Sequence, residues 1–210
     1  MSKSQTIPET PSMQAQIAEA ALKRFAHFGI SKTTLTEVAD DMAITKQALS
    51  YYYQDKQSLV NATVEKLTRE YGGQLKAEME ASPTVKEALL KLTQVKSVFF
   101  EKYYMLLTQA EHMEIVKHSS FHNWKEYLIG KEAGLVTQLF ETGVRSGELR
   151  PIDTQKTAEL LLETLRALSS CVREKTALPV EKDFREVLSR QQELISIFYQ
   201  GIRAEASNNS

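Results

Sequence analysis

The segment from Thr45 to Lys56 has the chemistry of a surface that forms hydrogen bonds with DNA. Amine, amide and hydroxyl groups recur within it: Thr45, Lys46, Gln47, Ser50, Tyr51, Tyr52 and Lys56. The Gln47 amide can pair with adenine, which makes it the best candidate for base readout. Lys46 and Lys56 carry the positive charge that phosphates attract. We interpret the segment as a surface that contacts bases and phosphates.

Two short helices would position these groups. Thr34 and Glu37 have the spacing of a capping box. In this motif the hydroxyl accepts from a backbone N–H that has no partner in the helix, and the carboxylate accepts from the backbone N–H of the capping residue. A helix is therefore predicted to follow Thr34. Residues 43–45 then break this helix, and Thr45 can cap a second helix that begins at Lys46. Two short helices joined by so tight a turn form a helix-turn-helix, which places the second helix in a major groove of DNA.

These residues resemble the N-terminal signature of TetR-family transcriptional regulators. The resemblance rests on caps, a turn and an aromatic cluster in fixed order: Gly29-Ile30, Thr34, Val38-Ala39, Ile44-Thr45-Lys46, Leu49, Tyr51-Tyr52-Tyr53, Asp55-Lys56 and Leu59. It implies that Thr34 and Lys56 clamp phosphates at helix starts. The chain departs from the family at Ala43, where Gly is usual and slight strain is expected, and at Ser50, where Tyr is usual.

Charge does not mark the N-terminal region as a basic domain. Residues 1–60 contain six Lys and Arg residues and six Asp and Glu residues. Non-specific attraction to phosphate is therefore predicted to be weak, and binding must depend on local placement, on backbone N–H groups at helix starts and on two recognition helices acting together. The alternative is a helix-turn-helix that serves only as a structural corner.

The remainder of the chain predicts helices, which gives an all-α fold of about nine helices. The 210 residues include only 8 Gly and 5 Pro, with 42% hydrophobic and 25% charged residues, as in ordinary globular proteins. We predict a DNA-binding domain over residues 10–58 and a helical effector-binding and dimerisation domain over residues 59–205. The family resemblance implies three helices in the first domain and the others in a larger bundle.

Caps and helix breakers predict the boundaries of these helices. The first helix is predicted to open at Thr10-Pro11 and to stop at Gly29. Later helices are predicted to start at Asp55, Thr84, Tyr104, Ser120, Asp153 and Val180. The helix from Tyr104 is predicted to end near Lys117, and Gly72-Gly73 predicts a break or bend in the fourth helix. The tail Ser207–Ser210 is predicted to be disordered.

Large aromatic side chains in the second domain suggest a ligand-binding surface: Phe99, Tyr103, Phe121, Trp124 and Tyr127. Polar groups that could orient a ligand lie near them in sequence: Gln109, His112 and His118. Aromatic residues at helical spacing also fill ordinary cores, so a solid core is the alternative. The family resemblance implies that the bundle encloses a small, largely apolar effector.

Other kinds of site have weaker support. His118 and His122 could hold a metal on one helical face, with Glu114 nearby, but the predicted helix start at Ser120 separates them. Cys171 is the single cysteine, which excludes an intrachain disulfide and a zinc site built on cysteines; a redox role is the alternative to an inert thiol. Because no phosphate loop, nucleophile elbow or paired-carboxylate motif occurs, we predict no enzyme activity, cofactor or metal.

The sequence also predicts location and partners. Met1–Thr10 is polar, and no apolar run approaches the roughly 18 residues of a membrane span, so we expect a cytoplasmic protein without membrane contact. The last two predicted helices are apolar on more than one face, which favours a homodimer. Together with the family resemblance, these features predict a repressor that binds a palindromic double-stranded operator and is released by a small-molecule effector. The alternative is a helical ligand-binding or enzymatic protein whose helix-turn-helix no longer contacts DNA.

Overall fold

The computed structural model describes residues 12–112, 120–175 and 180–205, and its all-helical architecture confirms the predicted fold class. These residues form eight helices, close to the predicted nine. In chain order they are α1 (Met13–Phe28), α2 (Leu35–Asp41), α3 (Lys46–Tyr52), α4 (Lys56–Glu80), α5 (Val85–His112), α6 (Ser120–Ser146), α7 (Thr154–Lys175) and α8 (Glu181–Ile202).

Side-chain caps explain most of the helix starts. The backbone N–H of Ser58 donates to Asp55 Oδ1 at 2.7 Å, and that of Glu87 donates to Thr84 Oγ1 at 3.2 Å. Such caps satisfy N–H groups that have no partner within the helix. The start of α1 differs from the prediction, because Ser12 accepts from the Ala15 N–H and the helix begins at Met13.

The predicted break at Gly72-Gly73 is wrong, whereas the predicted start of a further helix at Tyr104 is confirmed. Helix α4 continues through Gly72-Gly73, because Tyr71 and Leu75 on either side of the pair are buried. Burial of Leu75 alone contributes roughly 1.5–3 kcal/mol, which offsets the roughly 0.5–1 kcal/mol that each glycine costs in a helix. The span of α5, in contrast, contains a kink at Tyr103, where the backbone leaves helical geometry at φ −114° and ψ 17°, so α5 consists of two helical segments. The helix predicted from Tyr104 is the second of these segments, and its predicted end near Lys117 lies outside the described residues.

The fold divides into two compact units. The first comprises residues up to Leu67 together with Met105–Phe121. In this unit α2 packs against both α1 and α3. Its core is apolar and fully buried, with Ile17, Phe25, Ile30, Val38, Leu49, Leu59 and Leu67. The phenol of Tyr53 donates to the carbonyl of Gln14 at 3.1 Å, which ties the end of α3 to α1.

The second unit comprises Thr68–Tyr104 and the chain from His122 onward. Its core draws on five helices and includes Tyr71, Leu89, Leu92, Phe140, Leu161, Leu165 and Ile195. Helices α7 and α8 pack together, and the buried Gln191 amide donates to the Leu165 carbonyl at 2.8 Å and to Ser169 Oγ at 2.9 Å. Leu149 and Arg203 form an antiparallel bridge. Within the described ranges, no helix has the length and apolarity needed to cross a membrane.

Candidate functional site

The turn between α2 and α3 is a Schellman motif. The N–H of Ile44 donates to the Ala39 carbonyl and that of Ala43 to the Asp40 carbonyl, both at 3.0 Å. Ala43 itself has a φ of 54°, in the left-handed region that favours glycine. The predicted strain at this position is therefore confirmed. The motif ends α2 sharply and allows Thr45 to begin the next helix.

Helix α3 separates a buried face from an exposed one. Thr45 Oγ1 accepts from the Ala48 N–H at 3.1 Å and caps the helix, as predicted. Leu49 and Tyr53 point into the core of the first unit. The opposite face exposes Lys46 and Gln47 to solvent. This arrangement presents the polar face of α3 as a continuous outer surface.

Aromatic rings extend the outer surface at the end of α3. Tyr51 is 84% exposed and Tyr52 is 38% exposed, and their rings meet edge to face with centroids 5.2 Å apart. Exposed aromatic side chains with hydroxyl groups can pack against a sugar–phosphate backbone and form hydrogen bonds with it. Ser50, in contrast, is half-buried. The predicted DNA-binding residues of α3 and its cap thus lie on one short helix, most of them exposed.

Lys56 lies near the loop that precedes α2. Its Nζ is 3.5 Å from the carbonyl oxygen of Ser31, three residues before Thr34. Partial burial lowers the pKa of the Lys56 ammonium. A partly desolvated ammonium interacts more strongly with an anion than one surrounded by water. The structure therefore brings Lys56 and Thr34, the two predicted phosphate contacts outside α3, to the same loop.

The hydroxyl of Thr34 already has two partners. Its Oγ1 donates to Glu37 Oε2 at 2.9 Å and accepts from the Glu37 backbone N–H at 3.2 Å. The predicted capping box is confirmed. A hydrogen bond from this hydroxyl to a phosphate would require its hydrogen to leave Glu37. The phosphate contact at Thr34 stays a prediction.

An arginine that the sequence did not single out compensates the acidic residues of α2. Arg24 Nη2 lies 3.1 Å from Glu37 Oε1, and Arg24 Nη1 lies 2.7 Å from both carboxylate oxygens of Asp41. The single positive charge of Arg24 on α1 is thereby shared between two carboxylates, which lowers their combined charge from −2 to −1. The exposed Lys32, in the loop before Thr34, is a further candidate for phosphate contact. Its position two residues before the helix cap could have identified it from the sequence.

The structure brings together two of the five predicted ligand-binding residues. Phe99 packs between Tyr71 and Tyr103, with ring centroids 4.6 and 5.0 Å away. Tyr127 is 53% exposed, with Lys131 Nζ 5.3 Å from its ring centroid. The side chains of the other two, Phe121 and Trp124, lie outside the described part of the chain.

Several other side chains named from the sequence also lie outside the described part: Gln109, His112, Glu114, His118, His122 and Cys171. Among the side chains that the structure does describe, no group of three His, Cys, Asp or Glu residues could hold a metal ion. The metal-site and redox alternatives therefore remain sequence-based interpretations.

A buried polar cluster lies beside the aromatic rings of the second unit. Glu132 accepts a hydrogen bond from the Tyr71 phenol at 2.5 Å through Oε1, and its Oε2 lies 2.6 Å from Lys96 Nζ. The side chains of Glu132 and Lys96 are only 6% and 12% exposed. Burial and the neighbouring carboxylate raise the pKa of the Tyr71 phenol well above its usual range, which keeps it a hydrogen-bond donor. Sequence reasoning missed this cluster, because its members are far apart in the chain.

Comparison with known proteins places the N-terminal segment in a defined group. Residues 17–63 match the family described as bacterial regulatory proteins, tetR family. The probable acrEF/envCD operon repressor of Escherichia coli is 34% identical over 56 residues, which is 27% of this chain and 26% of that protein. The HTH-type transcriptional regulator TtgR of Pseudomonas putida is 34% identical over 62 residues, 30% of each chain. The chain thus spans less than a third of either relative.

Solved structures resemble the chain over most of its length. A transcriptional regulator from Cytophaga hutchinsonii has a TM-score of 0.81 at 23% identity, covering 90% of this chain and 98% of its own. A TetR transcriptional regulator from Chloroflexus aurantiacus has a TM-score of 0.69 at 15% identity, covering 91% of this chain and 96% of its own. At these identities the likeness is one of fold. Residues 17–63 therefore form the N-terminal module of the tetR family of bacterial regulatory proteins, on a chain whose fold is that of TetR-family transcriptional regulators.

Proposed function

We propose that this protein is a transcriptional repressor that binds a palindromic operator as a homodimer and releases it when a small molecule binds the helical bundle. The observation that carries the proposal is the amphipathic character of α3. Its buried face holds Leu49 in the core, and its opposite face offers Lys46, Gln47 and Tyr51 to a partner. A helix held in this way by a preceding short helix is the element that enters a major groove.

Local electrostatics support DNA binding despite the neutral charge of the N-terminal region. Arg24 compensates Glu37 and Asp41, so these carboxylates repel an approaching phosphate less than their number suggests. Lys46, Lys32 and Lys56 then supply positive charge around the start of α3 and the loop before α2. Because the number of such contacts is small, we expect two recognition helices to act together and binding to depend clearly on sequence.

The outer faces of α7 and α8 support the homodimer. Of the apolar residues on these helices, Leu161, Leu165 and Ile195 are buried within the protomer, but Leu160 is 60% exposed and Ile197 is 66% exposed. Exposed large aliphatic side chains on packed neighbouring helices are typical of an interface. A two-fold dimer through these helices would place two recognition helices about 34–36 Å apart, one turn of DNA.

The effector part of the proposal is supported by the aromatic side chains of α5. Phe99 is half-buried beside Tyr103, where the helix leaves regular geometry. Apolar and aromatic surfaces with a few polar groups are the usual lining of small-molecule sites. The predicted contacts at Phe121, Trp124 and Tyr127 complete the proposed site.

A binding titration on DNA from upstream of the chain's own gene tests the proposal. Fluorescence anisotropy at low salt should show saturable binding that an unlabelled copy of the same fragment displaces and a scrambled fragment does not. A double variant, Lys46→Ala with Gln47→Ala, should fold normally and show a smaller difference in affinity between the two fragments, because both side chains are exposed on α3 and neither supports the core. Equal binding of wild-type protein to both fragments would instead favour a helical ligand-binding or enzymatic protein whose helix-turn-helix no longer reads DNA.

A further inference from the structure

One carboxylate joins three helices in the second unit. Glu132 on α6 accepts hydrogen bonds from Tyr71 on α4 and from Lys96 on α5. Burying an ion pair costs solvation energy that the attraction between the charges only partly returns, so such a pair is weak support for stability. A buried acid–base pair beside aromatic rings is, however, a frequent feature of binding sites.

The rings next to this carboxylate form a continuous row. The Tyr71 ring, whose hydroxyl contacts Glu132, packs on Phe99, and Phe99 packs on Tyr103. Lys96, Phe99 and Tyr103 follow one another on one face of α5. A ligand placed along this face would meet the carboxylate at one end and apolar rings over the rest of its length. Aromatic rings and a carboxylate both attract cations.

Charge decides which ligand this arrangement favours. The Lys96–Glu132 pair is neutral, and it lies where water is largely excluded. An anionic ligand would add a net negative charge to this site, which is costly at low dielectric. A cationic ligand could take the place of the Lys96 ammonium at Glu132 Oε2 and leave the local charge unchanged. The displaced ammonium has a long flexible stem, which lets it reach water while its methylene groups stay packed.

We propose that Glu132 is the polar anchor of an effector site that takes an organic monocation: an amine with an aromatic or aliphatic body, bound through its ammonium in place of Lys96. This inference rests on the proposed function, since it names the class of effector. It also places the ligand next to α4: the ammonium would bind one oxygen of the carboxylate whose other oxygen accepts from Tyr71 on that helix.

The test uses three probes that share one body and differ in charge: phenylbutylamine, phenylbutyric acid and phenylbutanol. Isothermal titration calorimetry on the full-length protein measures their affinity. The amine should bind at least about tenfold more tightly than the acid or the alcohol, the gain expected for one charge-assisted hydrogen bond in a desolvated site. No amine binding up to about 10 mM, or tighter binding of the acid, would overturn the proposal.

Variants identify the anchor. Glu132→Gln keeps the size of the side chain and an acceptor for Tyr71 but removes the charge, so it should abolish the preference for the amine. Glu141→Gln, an exposed change on the same helix, should leave the preference intact. Lys96→Met removes the competing ammonium and should tighten amine binding. A preference that survives Glu132→Gln would overturn the assignment, and the comparison of probes on the wild-type protein stands even where a variant fails to fold.

Operator binding, followed in the same samples, separates this inference from the proposed function. If the protein binds upstream DNA but only the acid or the alcohol releases it, the proposed effector class is wrong and the proposed function as a DNA-binding regulator stands. If the amine binds selectively through Glu132 and the protein recognises no operator, the cation site stands and the regulatory function fails. Selective amine binding with release of the operator supports both.

Discussion

Thr34 and Glu37 satisfy each other at the start of α2. The Thr34 backbone N–H donates to Glu37 Oε2 at 2.7 Å, and the Glu37 N–H donates to Thr34 Oγ1 at 3.2 Å. Arg24 contacts the second oxygen of the same carboxylate at 3.1 Å. The helix that supports the recognition helix therefore depends on an ionised side chain.

The stability of α2 should depend on pH through Glu37. The hydrogen bond from the Thr34 backbone N–H holds the pKa of Glu37 below its usual value of 4.5. The contribution is therefore complete above about pH 4.5 and disappears as the pH falls through the lowered pKa. Amide hydrogen exchange of α2, corrected for intrinsic rates, should show the loss of protection. Glu37→Gln keeps the capping box and should flatten this dependence; an unchanged profile in the variant would assign the transition to another group.

Ala43→Gly should stabilise the helix-turn-helix. The φ of 54° at Ala43 costs an alanine roughly 1–2 kcal/mol, which a glycine avoids. Glycine also loses more conformational entropy on folding than alanine does. When this cost is subtracted, the free energy of unfolding is expected to rise by about 0.5–1 kcal/mol. Hydrogen exchange of amides in α2 and α3 measures the gain locally. Ala48→Gly, at an exposed position within α3, is the control and should lower protection by up to about 1 kcal/mol. Equal losses in the two variants would mean that the turn carries no strain.

Lys56 and Gln47 should contribute to DNA binding in different ways. Lys56→Ala should weaken binding to all sequences and reduce the slope of log affinity against log salt by about one unit, because one phosphate contact is lost. Gln47→Ala should relax the preference at one base position by roughly 1–3 kcal/mol and leave the salt slope unchanged. Titrations over a salt series, on the operator and on single-base variants of it, separate the two effects. Wild-type behaviour in both variants would rule out groove docking by α3.

The dimer should dissociate when charge is placed on the outer faces of α7 and α8. Leu160→Glu or Ile197→Glu would bury an unpaired carboxylate in the proposed interface, which should raise the dimer dissociation constant at least about a hundredfold. Analytical ultracentrifugation at micromolar concentration measures the change. Val98→Glu is the matched control, since Val98 is 62% exposed and lies on α5. A wild-type protein that sediments as a monomer, with and without DNA, would exclude the homodimer.

Local patterns in the sequence predicted the helix starts well. The caps at Thr34, Thr45, Asp55 and Thr84 each join residues three positions apart, so the chemistry of a few neighbours decides whether they form. The exposed face of α3 was predictable for the same reason. At Gly72-Gly73 the local signal was wrong, because buried neighbours on one helix outweigh the cost of two glycines.

Contacts between distant residues could not be predicted. Arg24 and Asp41 are 17 positions apart, and Tyr71 and Glu132 are 61 positions apart. Nothing in the spacing of such residues indicates that the fold will join them. A net charge of zero in the N-terminal region was therefore a poor guide to the field around α3, since it does not reveal which charges neutralise each other internally.

Backbone hydrogen bonds join the end of α8 to the turn after α6, and they determine where a tag can be attached to the protein. The Arg150 N–H donates to the Ile202 carbonyl at 3.0 Å, the Ala204 N–H donates to the Glu148 carbonyl at 2.9 Å, and Leu149 between them is buried. A fluorescent reporter or affinity tag joined beyond residue 205 leaves this clasp whole. A fusion junction placed before Arg203 removes the Ala204 N–H that donates to the Glu148 carbonyl and the bridge between Arg203 and Leu149, so a chain trimmed there would hold the end of α8 less firmly.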